Sequence, residues 1–123
     1  MASFTADQLI DKVRELATAN PEYRYKGTNG GCYYRPKTFF SGAKSDSCIF
    51  GQAIKILDLV SYSQLKESVR IDTNLHLLDV ITTPEQRIWV RNMQYSQDRG
   101  KRWGKCLRDA DAAVEKAASL GRV

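Results

Sequence analysis

Three times in 123 residues a hydroxyl side chain is followed three positions later by glutamine: Thr5 with Gln8, Ser61 with Gln64, and Thr83 with Gln86. In such a capping box the hydroxyl accepts from the amide of the third helical residue, whose own side chain reaches back to the cap amide. Two of the donors that every helix start leaves unpaired are satisfied together. Each signal has a second feature in register. Phe4 precedes the first box and can staple onto Leu9, and Leu9, Ile10, Val13, Leu16 and Ala17 then recur at helical spacing until Asn20-Pro21. This pattern predicts a helix over 6–19. Val60 and Leu65 repeat the staple around Ser61, predicting a short helix. Pro84 at the first helical position strengthens Thr83, predicting a helix to about Asp98 that ends at Gly100.

Between the boxes lie two further segments. "YRY" and "CYYR", separated by the turn-forming "KGTNGG", alternate aromatic and charged residues and predict a β-hairpin lying on the helices. After a loop over 36–47, Ser47 can cap a helix whose Ile49, Phe50, Ala53, Ile54, Ile56, Leu57 and Val60 surround much of its circumference, as in a central, buried helix. "LHLLDVI" reads as a second short apolar stretch. Trp103, Cys106, Leu107, Ala110, Ala113, Val114 and Ala117 mark one face of a last helix, which stops at Gly121. The expectation is one compact domain, 1–123, of α+β class with helix dominant: N-terminal helix, β-hairpin, central buried helix, one or two short helices and a closing C-terminal helical pair.

Gly51 sits in the second turn of the central helix, where glycine costs about 1 kcal/mol relative to alanine. Close passage of another backbone explains it, and the hairpin arm carrying Cys32 is the expected neighbour, with Cys32 and Cys48 as small apolar fillers.

Hydrophobic residues at 42% and charged residues at 27% are ordinary globular values, and no apolar run approaches the ~20 residues of a membrane span. The N-terminal sequence carries no signal-peptide block, and three cysteines without a dense framework suit reduced thiols. A cytoplasmic location is expected. The net charge of +5 is concentrated. Arg87, Arg91, Arg99, Lys101, Arg102, Lys105 and Arg108 face the single acid Asp98 within 87–108, and the rest of the chain is near neutral. Such a surface attracts nucleic acid or the acidic face of a protein.

"GGCYY", "SCIFGQAI" and "QDRGKRWGKCLRDAD", in this order, resemble a group of small uncharacterised proteins of actinobacteriophages and actinobacteria. The shared elements are a tyrosine-rich hairpin, a Cys-x-x-Gly helix start and a Gln-Asp…Trp-Gly segment. The matching positions are Cys32, Cys48, Gly51, Gln97, Asp98, Trp103 and Gly104. The resemblance implies a phage-type accessory protein in the bacterial host cytoplasm and brings no activity with it.

The candidate sites follow from chemistry. At the corner "QDRGKRWG", Asp98 can accept from the turn amides, Gly100 can turn left-handed, and Trp103 can anchor the last helix. The same corner presents Arg99, Lys101 and Arg102, with Arg91 and Lys105 a turn away, as a phosphate-binding surface. Lys105 with Asp109 and Arg108 with Asp111 can pair along the helix and dilute it. Arg24, Lys26, Tyr33, Tyr34, Arg35 and Lys37 make a second basic and aromatic mixture on the hairpin, suited to bases or to a protein partner, with Tyr33, Arg35 and Lys37 as its candidate contacts. A thiolate at Cys48 has no evident base, because the only histidine, His76, lies in an apolar stretch. Cys32, Cys48, His76 and Cys106 lack the spacing of a zinc site, and "GTNGG" lacks the grammar of a nucleotide loop. The expectation is a non-enzymatic module without cofactor or metal, binding a host protein or nucleic acid. The alternatives are a small-ligand binder or sponge, for example for a signalling nucleotide, with a pocket between hairpin and central helix at Gln52 and the aromatics, and a thiol enzyme at Cys48.

Overall fold

The computed structural model describes residues 2–26, 33–38, 42 and 44–122. Six helices are present among them: α1 (Ala6–Ala19), α2 (Ile49–Leu57), α3 (Leu59–Gln64), α4 (Ile71–Leu77), α5 (Pro84–Asp98) and α6 (Trp103–Ser119). No helix among the described residues is long and apolar enough to cross a membrane.

Two capping boxes form as the sequence predicts. Thr5 and Gln8 close the start of α1, and Thr83 and Gln86 close that of α5 with Pro84 in its first turn. The third does not. α3 begins earlier, capped by Asp58, whose carboxylate accepts from the amides of Val60 and Ser61 at 3.1 Å each and from the Ser61 hydroxyl at 2.7 Å. Aspartate is as good a cap as serine, and starting at 58 leaves Ser61 buried beneath it. The same carboxylate takes the Ser3 amide at 2.8 Å, tying the N-terminal segment to the α2–α3 joint.

The expected hairpin is the main correction. The described residues of its two arms do not pair, and most of "KGTNGG" lies outside the described residues. The arms' backbone groups are taken by other elements. The Tyr23 carbonyl accepts from the Trp103 amide at 2.9 Å, Arg24 forms an isolated bridge with Arg102, and the Tyr33 carbonyl accepts from Cys48 at 2.8 Å. The amides of Tyr34 and Arg35 donate to the Glu67 carboxylate at 2.8 and 3.2 Å. Those groups are therefore not available for a ladder between the described residues of the arms. The other extended pairing among the described residues is an antiparallel contact of two-residue strands, β1 (Lys37–Thr38) with β2 (Lys44–Ser45), inside the expected loop. The domain is therefore helix-dominant, and among the described residues the hairpin that made it α+β is not formed.

One core joins all six helices, and α5 against α6 is the most extensive helix pair. α2 buries Ile49, Phe50, Gly51, Ala53 and Ile54, but Ile56 emerges, so its apolar girdle is complete only in the first half. Gly51 meets the backbone predicted from its cost: a Cβ built there would collide with the Tyr34 carbonyl. Cys48 and Cys106 are fully buried free thiols. Cys32, and any meeting with Cys48, lies outside the described residues.

Three helices have no side-chain cap of their own, and each is capped from elsewhere. At α2 Ser47 does not act as the cap; its hydroxyl donates to the Tyr34 carbonyl instead. The Ile49 amide donates to Oε1 of the fully buried Gln97, at 2.7 Å. One turn earlier on α5, Gln94 accepts from the Ile71 amide at the start of α4, at 2.8 Å. At α6 the amides of Trp103 and Gly104 donate to the carbonyls of Tyr23 and Pro21, both at 2.9 Å. Gly104 fits because Pro21 passes within 3.1 Å of where its Cβ would stand.

Candidate nucleic-acid interface

The corner between α5 and α6 is built from the backbone outward. The amides of Arg99, Gly100 and Lys101 donate to the carbonyls of Tyr95, Gln97 and Ser96, and Gly100 adopts φ +78°. The turn amides thus close on α5 itself rather than on Asp98, whose carboxylate accepts from the Gln97 side chain at 2.8 Å. Trp103 anchors the start of α6 as the sequence predicts. It is buried, with its ring centroid 4.5 Å from that of Tyr23.

This geometry lays the 21–24 segment beside the corner and leaves a cleft of about 350 Å³ between them. Six cations line it: Arg24, Arg99, Lys101, Arg102, Lys105 and Arg108. Two acids temper them. Glu22 pairs with Arg102 at 3.0 Å, and Asp109 receives both Lys101 at 3.2 Å and Lys105 at 3.1 Å. Partial burial works against the Asp109 charge, but the hydrogen bonds from Lys105 and Lys101 outweigh it and hold its carboxyl below the usual range.

Arg108 does not pair with Asp111. That carboxylate is taken by a two-point contact from Arg14 at 2.9 and 3.0 Å and by the Trp89 indole at 2.9 Å. Arg24 and Arg108 make no ion pair among the described residues, so their guanidinium groups are open to a ligand.

Of the sequence-predicted basic residues, Arg99, Lys101, Arg102 and Lys105 converge here. Arg91 does not; it lies two turns back on α5, 3.8 Å from Asp72. Of the second mixture, Lys37 and Tyr33 stay together, the ammonium 5.2 Å from the ring centroid, while the half-buried Arg35 turns away and donates to the Tyr62 carbonyl at 3.0 Å. Arg24 and Arg108 complete the cleft, and only the crossing of 21–24 over α6 brings them together. Sequence separation hid the first, and the expected pair with Asp111 hid the second.

The other candidates are occupied by structure. Gln52 donates to the Ser47 carbonyl at 2.9 Å. His76 is exposed on α4 whereas Cys48 is sealed. Burial pushes the Cys106 thiol up to about 12. Among the described residues no three metal-binding side chains cluster. No protein family matches the chain, and neither does a curated protein or a solved structure.

Proposed function

We propose that this protein is a non-enzymatic binding module that holds the phosphate backbone of a nucleic acid in the corner cleft. The convergence of six cations on one concavity, three of them (Arg24, Arg99 and Arg108) without an ion pair among the described residues, carries the reading. Exposed ion pairs are worth about 0–1 kcal/mol, so the contacts of Arg102 with Glu22 and of the lysines with Asp109 yield readily to a phosphate. Arginine makes planar two-point hydrogen bonds to phosphate oxygens, and three of the cleft's cations besides Arg99 are arginines. The likeness to phage and actinobacterial proteins supports an accessory role in a bacterial cytoplasm.

Fluorescence anisotropy with a labelled oligonucleotide tests the site. Binding of four to six phosphates gives a log–log salt slope of about −3 to −5. The double substitution Arg24→Glu with Arg108→Glu breaks no ion pair, so it should leave the far-UV circular dichroism intact and weaken binding at least about tenfold. An oligonucleotide that fails to bind even at low salt overturns the reading.

A protein partner is the second reading, and one observation favours it. Ile56, Leu59 and Val60 stand 58%, 66% and 67% exposed at the α2–α3 joint, an apolar group of the kind that docks proteins. Capture of one host protein that survives nuclease treatment, and is lost in Leu59→Asp, would favour it.

A further inference from the structure

A row of side chains leads from the corner cleft back along α5. Arg91, Tyr95 and Arg99 stand four residues apart, so their side chains rise in one row roughly 12 Å long. Beside this row, where α5 meets the start of α4, a second cleft of about 520 Å³ opens, with Arg70, Arg91, Asn92, Tyr95 and Asp98 among its walls. Tyr95 is 60% exposed. Arg99 stands over its ring, 5.2 Å from the centroid, and donates to the phenol oxygen at 3.1 Å.

The acids at this cleft are turned to structural partners. Asp72 receives Arg70 at 3.4 Å and Arg91 at 3.8 Å, and its side chain is only 13% exposed against 66% and 53% for the arginines. Asp98 accepts from Gln97. What solvent meets is chiefly the guanidinium groups of Arg70, Arg91 and Arg99 around the ring of Tyr95, with Asp98 half-buried beside them.

We infer that this row is a track for single-stranded nucleic acid, with phosphates in the corner cleft and at Arg70 and Arg91 and one unpaired base stacked on Tyr95. The inference rests on the phosphate-binding reading of the corner and adds which nucleic acid is bound. In a duplex the base faces are buried against one another, so an exposed ring gains nothing from it. An unpaired base has a free π-face whatever its identity, and stacking on an aromatic side chain is a sequence-tolerant source of affinity. Arg99 over the ring adds a cation at the same place.

Anisotropy with labelled oligothymidine of roughly twelve nucleotides, and with a duplex of equal length, tests this on the whole chain. Single strand is expected to bind more tightly than duplex. Tyr95→Ala should weaken single-strand binding about 5- to 100-fold, Tyr95→Phe should hold it, and neither should change duplex binding. Circular dichroism of both variants controls for folding. If Tyr95→Ala leaves single-strand affinity unchanged while Arg24→Glu with Arg108→Glu abolishes it, the stacking site falls and the phosphate cleft stands. If neither oligonucleotide binds at low salt, both fall.

Discussion

Gly51 shows how narrowly one residue can be constrained. A Cβ there would occupy the Tyr34 carbonyl and approach Ser47 Oγ at 2.5 Å, so the chain must move one backbone off another to accept alanine. Gly51→Ala is expected to destabilise the domain by about 3 kcal/mol or more, as overpacking of a rigid contact does. Gly100→Ala is the informative comparison. Gly100 has φ +78° and open space around it, so alanine meets only the left-handed backbone penalty of about 1–2 kcal/mol. Urea midpoints of the two variants should differ in that order, and equal shifts would show that Tyr34 moves freely. Cys48 has no such room either, since its side chain is completely buried.

At the level of elements, helix starts divide into two kinds. α1, α3 and α5 carry their own caps in Thr5, Asp58 and Thr83, whereas α2 and α4 depend on two glutamines of α5. Those glutamines are not isolated. The Gln94 amide donates to the Tyr34 hydroxyl at 2.9 Å, which donates in turn to the Val69 carbonyl, whose oxygen also accepts from Asn74 at 3.2 Å. A buried amide stripped of its acceptor costs about 1–3 kcal/mol, against about 1 kcal/mol for an exposed cap. Gln97→Leu and Gln94→Leu should therefore each lower stability more than Thr83→Ala does, by urea denaturation. A smaller loss for the glutamine variants would mean that water reaches the starts of α2 and α4.

The whole molecule responds to acid through its carboxylates. Asp58, accepting first from the Ser3 amide and then from Ser61, has its pKa lowered, and the Arg14 hydrogen bond lowers that of Asp111. A carboxyl whose folded pKa lies below its unfolded value contributes stability above about pH 4, and that contribution is lost as pH falls further. The urea midpoint should be flat from neutrality to about pH 5 and decline below pH 4. Asp58→Asn should lower the plateau and soften the decline. A decline of unchanged steepness in Asp58→Asn would remove Asp58 from the account. Nucleic-acid binding is likewise expected to depend on the whole fold, because the proposed basic track draws on Arg70 before α4, the length of α5, its corner and the 21–24 segment.

Sequence alone determined whatever a few neighbouring residues can enforce. The boxes at Thr5 and Thr83, the end of α5 at Gly100, the anchoring of Trp103 and the close approach at Gly51 were legible because each rests on bonds or contacts over short spans, or on the cost of one residue. Five of the cleft's six cations, all but Arg24, were legible as a charge run for the same reason. The tertiary structure decided the rest. "YRY" and "CYYR" carry strand propensity, yet their backbone groups are claimed by Trp103, Cys48 and Glu67, partners from 15 to 80 residues away by chain position. Arg24 joins Arg102, and Arg108 loses Asp111 to Arg14, because helix packing sets which side chains meet. A hydrogen-bonding group takes the partner that folding places nearest, and for α2, α4 and α6 that partner is remote in sequence.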